Sequence, residues 1–220
     1  MITTVLFDFD GTLVDSAPDL VYAANQQRRR RGLEPLPYEH LRNFASKGSA
    51  GLIEQALGIL PQDPEFATIK QQFLDDYEAV SPSQTNYFPG ILDLLENLEK
   101  NRFKWGIMTN KVEYLAIPIF KHFGLDQRSA VNVCGDTTAH SKPHPLPLLY
   151  AAEQINEKPQ HCIYIGDDER DIVAGRAAGM KTIAVTYGYS LNAKTAAACQ
   201  ADAISTSPEA LFNIIQNLTT

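Results

Sequence analysis

Cysteine is scarce in this chain. It occurs three times in 220 residues, at Cys134, Cys162 and Cys199, and no two form a C-x-x-C pair. The odd count and the wide spacing predict free thiols in a reducing compartment. Long apolar runs are missing too, and none is long enough to cross a bilayer. The first residues lack a basic region followed by an apolar segment, so no signal peptide is expected and a cytoplasmic location is. Positive charge is in deficit: 19 Lys and Arg against 26 Asp and Glu give a net charge of −7. A chain with that balance has no general electrostatic reason to hold nucleic acid or an anionic membrane. An anionic ligand would need a local positive site made of lysine, a metal ion or backbone N–H groups. The one basic run, Arg28 to Arg31, is read as a solvated helix end, with its cations near the negative pole of the helix dipole. Internal repeats and low-complexity tracts are absent.

What the chain does have is enough apolar content, 44% of residues, for one sizeable core or a core plus a smaller inserted domain. Short β-rich runs recur at 3–10, 103–110, 129–136, 161–168, 181–188 and 201–205. Helical patterns separate the later ones: 90–101, with Ile91, Leu94, Leu95 and Leu98 at helical spacing, then 145–156, and 170–179 closing on Gly179. Strand alternating with helix predicts an α/β fold with a doubly wound parallel sheet. From Asp15 to about Ser83 the rhythm breaks, with helical patterns near 17–31, 38–45, 50–58 and 64–79 and no convincing strand. Ser16 is expected to cap the first of these, with Pro18 and Asp19 in its first turn. The domain reading is a core of 1–14 and 86–220 interrupted by an all-helical insertion at 15–85.

In an open α/β sheet, ligands bind beyond the carboxyl ends of the strands. The first strand ends in Asp8, Asp10, Gly11 and Thr12. The second ends in Thr109, Asn110 and Lys111. The loop after the third carries Lys142, and the fourth ends in Asp167, Asp168 and Asp171. Residues two apart on a strand share a face, so Asp8 and Asp10 are expected to leave the sheet together while Phe7 and Phe9 point the other way. Two such carboxylates ionise together only beside positive charge, and Mg²⁺, a hard ion that takes oxygen ligands, is the natural candidate. Asp167 supplies the opposite wall.

The stretches DFDGTLVDS, MTNK, HSKPHP and GDDERD resemble, in order, the four motifs of the haloacid dehalogenase superfamily, with a helical insertion where that family places its cap. The resemblance implies a Mg²⁺-dependent phosphatase. Asp8 would be the nucleophile, forming an aspartyl-phosphate, and Asp10 would protonate the leaving alkoxide and then activate water. Mg²⁺ would be held by Asp8, the backbone carbonyl of Asp10 and Asp167. Gly11, Thr109, Asn110 and Lys142 would hold the phosphoryl oxygens. Asp168 and Asp171 would stand behind them, with Asp171 supporting the metal or orienting Lys142. In the cap, Lys47 and Arg42 are candidate contacts to the rest of the substrate.

Within that superfamily the chain is similar to the phosphoglycolate phosphatases. WGIMTNK and RSAVNVCGDTTAHSKPHPLPLL are closer to a sister group acting on N-acetylmuramic acid 6-phosphate in peptidoglycan recycling. Both substrates are small phosphorylated metabolites carrying a carboxylate. A sugar phosphomutase of the β-phosphoglucomutase type on the same scaffold is the alternative. A non-enzymatic phospho-acceptor domain is disfavoured by Asp10 and the insertion, and a catalytically dead relative by the intact motifs. A monomer or weak homodimer is expected.

Overall fold

In a computed structural model, which describes residues 1–219, the chain forms two compact units. One comprises Met1–Val14 and the chain from Tyr87 onward; the other is Asp15–Asn86. The strands in chain order are β1 (Thr4–Phe7), β2 (Val14–Asp15), β3 (Asn86–Tyr87), β4 (Lys104–Met108), β5 (Asn132–Val133), β6 (Cys162–Gly166), β7 (Lys181–Val185) and β8 (Ala203–Ser205). Six of them build one sheet in the order β5-β4-β1-β6-β7-β8, with parallel pairing throughout. β2 and β3 pair separately. The strands are nearly continuous apolar runs because a parallel sheet is covered on both faces. Val5, Leu6, Phe7, Ile107, Met108, Ile163, Ile165 and Ile183 are all fully buried.

The second unit holds α1 (Ala17–Arg29), α2 (Tyr38–Arg42), α3 (Gly48–Leu57) and α4 (Phe66–Val80). Ser16 stands at the N-cap of α1 but its side chain makes no capping bond; the Ala17 N–H donates to the Asp15 carboxylate at 3.2 Å. The helix ends at Arg29, ahead of Gly32, whose φ of +67° turns the chain away. Arg29, Arg30 and Arg31 are exposed at the end of α1, as read for a solvated helix end, yet three of the four arginines also make bonds. Arg28 donates to the Glu34 and Ala56 carbonyls, Arg31 to the Gln27 carbonyl, and Arg30 pairs with Asp76 of α4. These cations stitch the helical unit together.

The first unit adds α5 (Ile91–Lys100), α6 (Glu113–His122), α7 (Leu125–Arg128), α8 (Leu146–Gln154), α9 (Glu169–Ala177), α10 (Ala193–Ala198) and α11 (Pro208–Thr219). The four apolar residues of α5 read from spacing, Ile91, Leu94, Leu95 and Leu98, are its buried face. On one face of the sheet Leu6, Met108, Val133 and Tyr164 pack with Leu148, Ala151 and Ala152 of α8 and Ala174 of α9. Among the described residues all three cysteines are free thiols. Burial pushes those of Cys134 and Cys162 up to about 12, so both behave as inert core residues.

Candidate active site

β1 lies in the middle of the sheet, between β4 and β6. The chain therefore winds in opposite directions on its two sides, and the crevice beyond its carboxyl end is a topological switch point. The register levels the three strand ends, with Phe7 beside both Ile107 and Ile165. Asp8, Thr109 and Asp167 thus follow at almost the same height.

Asp8 continues the alternation of Leu6, and its N–H donates to the Ile165 carbonyl at 2.8 Å. The strand then stops, because the Phe9 carbonyl accepts the N–H groups of Thr12, Leu13 and Val14 at 3.0–3.3 Å and bends the chain into a tight turn. Phe9 points into the core and meets Phe120 edge-on. The bend follows Asp10, and the two acids find different partners. Each has its own lysine. Lys142 Nζ lies 2.7 Å from Asp8 Oδ1, whereas Lys111 Nζ donates to both oxygens of Asp10 at 3.0 and 3.1 Å. Charge that the sequence reading left to a cation alone is shared by two side-chain ammoniums.

The centre of the site is almost dry. Asp8, Lys142, Asp167 and Asp171 are all buried. Lys142 Nζ also reaches Asp171 Oδ1 at 2.7 Å and the Tyr164 hydroxyl at 2.8 Å. Asp171 Oδ2 accepts the Asp168 N–H at 3.0 Å, closing a capping box at the start of α9. Asp167 Oδ2 accepts the Tyr189 N–H at 2.7 Å. Two glycines allow that close approach. A Cβ on Gly188 would lie 2.3 Å from the Gly11 carbonyl oxygen and 2.4 Å from Asp167 Cβ. One on Gly11, already at φ +84°, would lie 2.5 Å from Asp167 Oδ2.

Burial pushes the Asp8 carboxyl well up; Lys142 pulls it down, and Asp171 and Asp167 add to the rise. Burial and Asp171 likewise push Asp167 up to about 7, against the Tyr189 amide. Burial by itself would lower the Lys142 ammonium, but Asp171 and Asp8 outweigh it and raise it. Asp8, Asp167 and Asp171 each offer an oxygen, all within 4.8 Å of one another. Two of the three carboxylates pair with the Lys142 ammonium and the third, Asp167, lies beside them, so acids outnumber the ammonium, and the donors are all oxygen. That combination fits a hard divalent cation.

The remaining sequence candidates fall into different places. Thr109 is buried, and its hydroxyl accepts the Lys111 N–H at 3.1 Å. The Asn110 side chain is committed to the loop of Lys142, donating to its carbonyl at 3.0 Å and accepting its N–H at 2.9 Å. That amide fixes the backbone from which Lys142 projects. Asp168 accepts from Arg170 Nε at 2.7 Å and from the Ser190 hydroxyl at 2.7 Å, so it anchors the loop behind Asp167. Arg42 and Lys47 belong to the helical unit, where Lys47 Nζ sits 5.1 Å above the Phe44 ring. Sequence reasoning placed Lys111 at the end of the second strand but gave it no role, and it did not single out Tyr164 or Ser190. Lys111 stood inside MTNK and was open to discovery; a tyrosine in the middle of a buried strand gives no sign of where its hydroxyl goes.

Residues 5–185 match the family described as haloacid dehalogenase-like hydrolase. A phosphoglycolate phosphatase of Xanthomonas campestris pv. campestris is 44% identical over 208 residues, covering 94% of each chain. An N-acetylmuramic acid 6-phosphate phosphatase of Pseudomonas aeruginosa is 39% identical over 211 residues, covering 96% of this chain and 93% of that one. A crystal structure from Haemophilus somnus, described as a predicted phosphoglycolate phosphatase, superposes with a TM-score of 0.85 at 26% identity, covering 98% of both chains. Hydrolases of this family generally use a metal ion, typically Mg²⁺, which agrees with the all-oxygen acid cluster. No helix among the described residues is long and apolar enough to cross a membrane. With the match running through β1, β4, β6 and the acids and lysine at their ends, this chain belongs to the haloacid dehalogenase-like hydrolases, as a phosphatase.

Proposed function

We propose that the chain hydrolyses a small carboxylate-bearing phosphomonoester, 2-phosphoglycolate or N-acetylmuramic acid 6-phosphate, through an aspartyl-phosphate on Asp8. The observation that carries this reading is the convergence of Asp8, Asp167, Asp171 and Lys142 on one buried spot beyond β1. An Asp8 oxygen attacks phosphorus as the bond to the leaving oxygen breaks, and Asp10 gives that oxygen a proton. A water molecule then attacks the phosphoryl group on Asp8, yields its proton to Asp10 and releases inorganic phosphate. Lys142 and the Thr109 hydroxyl hold the equatorial oxygens, where the transition-state charge resides; the Gly11 N–H, expected from the sequence to join them, donates instead to the Val14 carbonyl at 2.9 Å. Asp8, Asp167 and the backbone carbonyl of Asp10 would hold Mg²⁺, which supplies charge neutralisation and orientation at the phosphoryl group. Asp171 orients Lys142, and Asp168 fixes the loop behind Asp167. Arg42 and Lys47 of the helical unit are the candidate contacts to the substrate carboxylate.

The two named substrates come from the relatives at 44% and 39% identity, and both join a phosphate to a carboxylate. The test is a panel of phosphate esters with Mg²⁺: 2-phosphoglycolate, N-acetylmuramic acid 6-phosphate, glucose 6-phosphate and β-glucose 1-phosphate. Preferred turnover of either carboxylate-bearing ester, inhibition by EDTA and recovery on adding Mg²⁺ are expected. Equal rates on glucose 6-phosphate would overturn the substrate class. Isomerisation of β-glucose 1-phosphate with little free phosphate would overturn hydrolysis.

A further inference from the structure

An ammonium has three N–H donors, and those of Lys142 already face four acceptors: Asp8 Oδ1 and Asp171 Oδ1, both at 2.7 Å, the Tyr164 hydroxyl at 2.8 Å and the Met108 carbonyl at 3.3 Å. If Lys142 grips a phosphoryl oxygen, one of these contacts must give way. Asp8 is the partner whose oxygen becomes part of the phosphoryl linkage, so its contact is the one to be exchanged. The others must then keep the ammonium in place.

Tyr164 is built for that task. It lies in the middle of β6, paired with Leu6 of β1, and is fully buried. Its hydroxyl donates to the Met108 carbonyl at 2.9 Å and lies 3.2 Å from Asp171 Oδ1, while accepting from Lys142. Both neighbours that fix the oxygen belong to rigid elements, the end of β4 and the first turn of α9. A phenylalanine would fill the same space for packing alone. Lys142 itself reaches Asp171 of α9 and the Met108 carbonyl of β4, and the hydroxyl, bonded to all three, ties these contacts into one buried network, and such networks act as units.

We infer that Tyr164 is a positioning residue for the phosphoryl-holding lysine: its hydroxyl keeps Lys142 aimed at the reacting group when the contact with Asp8 is exchanged. This rests on the assignment of Lys142 as the group that holds phosphoryl oxygens.

The test is a double-mutant cycle with Tyr164→Phe and Lys142→Met, read on p-nitrophenyl phosphate turnover and on competitive inhibition by orthophosphate. Tyr164→Phe removes one oxygen and adds no volume, and its folding is checked by thermal unfolding. Alone it should lower kcat/KM about tenfold and raise the orthophosphate inhibition constant by a similar factor. In the Lys142→Met background it should change either quantity less than about twofold, because coupled groups are not additive. An unaffected single variant, or the same loss in both backgrounds, would overturn the positioning role. Full activity in Lys142→Met alone would instead remove the assignment beneath it, and so separates the two failures.

Discussion

Asp19 in the helical unit and Asp171 in the α/β unit are both shielded from water, at 0% and 1% exposure, yet their surroundings differ in kind. Asp19 opens α1 and accepts from the Ser83 hydroxyl at 3.3 Å, the N–H groups of Gln84 and Thr85 at 3.1 Å each, and the Thr85 hydroxyl at 2.7 Å. Neutral donors cover a single carboxylate, and the two ends of the unit are tied by it. Asp171 shares its space with Asp8 and Asp167, and one ammonium pairs with it and Asp8. A buried charge solvated by its own chain holds a fold together. A buried cluster with charge left over costs stability, and persists where something arriving from outside completes it.

The most severe break should come from Asp8→Asn. Turnover of p-nitrophenyl phosphate is expected to fall on the order of 10⁴-fold or more, as for loss of a covalent nucleophile. The melting temperature should stay level or rise, because one of three crowded charges is removed while Lys142 keeps Asp171. A large drop in melting temperature would make the Asp8 cluster a structural device like Asp19. Asp19→Ala should do the reverse, lowering the unfolding free energy in urea by about 3 kcal/mol through several stranded buried donors. An unchanged midpoint there would erase the contrast from the other side.

Lys111→Met sharpens the comparison within the site. It frees the Asp10 carboxylate from a pair held at 3.0 and 3.1 Å, and kcat should fall by about 10²-fold, the low end of what proton transfer contributes. Lys111→Arg should recover part of that loss, and a kcat equal to that of the unaltered protein in the Met variant would disconnect Asp10 from proton transfer.

The smallest effect concerns an ordinary surface pair. Burial alone would raise Asp202, but Lys181 and the Thr182 N–H outweigh it and hold its carboxyl below the usual value. A folded-state value below the unfolded one means that the stabilisation is fully present above about pH 3.9, the ordinary aspartate value, and is lost as the pH falls through the lowered one. Lys181→Met should therefore make acid unfolding below about pH 4 less steep and cost under ~1 kcal/mol at neutral pH, as a half-exposed pair should. Circular dichroism against pH would read it.

Much of the fold was legible because its signals are local. Val5-Leu6-Phe7, Ile163-Tyr164-Ile165 and Ile183-Ala184-Val185 are apolar because both faces of a parallel sheet are covered, and the apolar positions of α5 repeat with the helical turn. The run at 129–136 is the exception. The strand there is only Asn132–Val133, although the Ala130 N–H and the Val131 carbonyl also bond to the backbone of β4. Ser16 read as a cap, but hydroxyl capping depends on the local backbone, and the Asp15 carboxylate takes the Ala17 N–H. In the site, every strand-end residue was visible as a type at a position. What stayed hidden were pairings: that Asn110 holds the Lys142 loop rather than presenting its amide outward, and that Asp8 and Asp10 have separate lysines.

The order of residues along the chain fixed which acids, hydroxyls and lysines would be available at the ends of β1, β4 and β6, because strand ends follow from apolar runs and the turns that break them. Tertiary structure alone decided which oxygen meets which nitrogen. Asp8 and Asp171 are 163 positions apart yet share one ammonium, while Asp8 and Asp10, two apart, do not. Electrostatic pairing falls off over a few ångströms, and only the parallel register and the bend at Phe9 set distances on that scale.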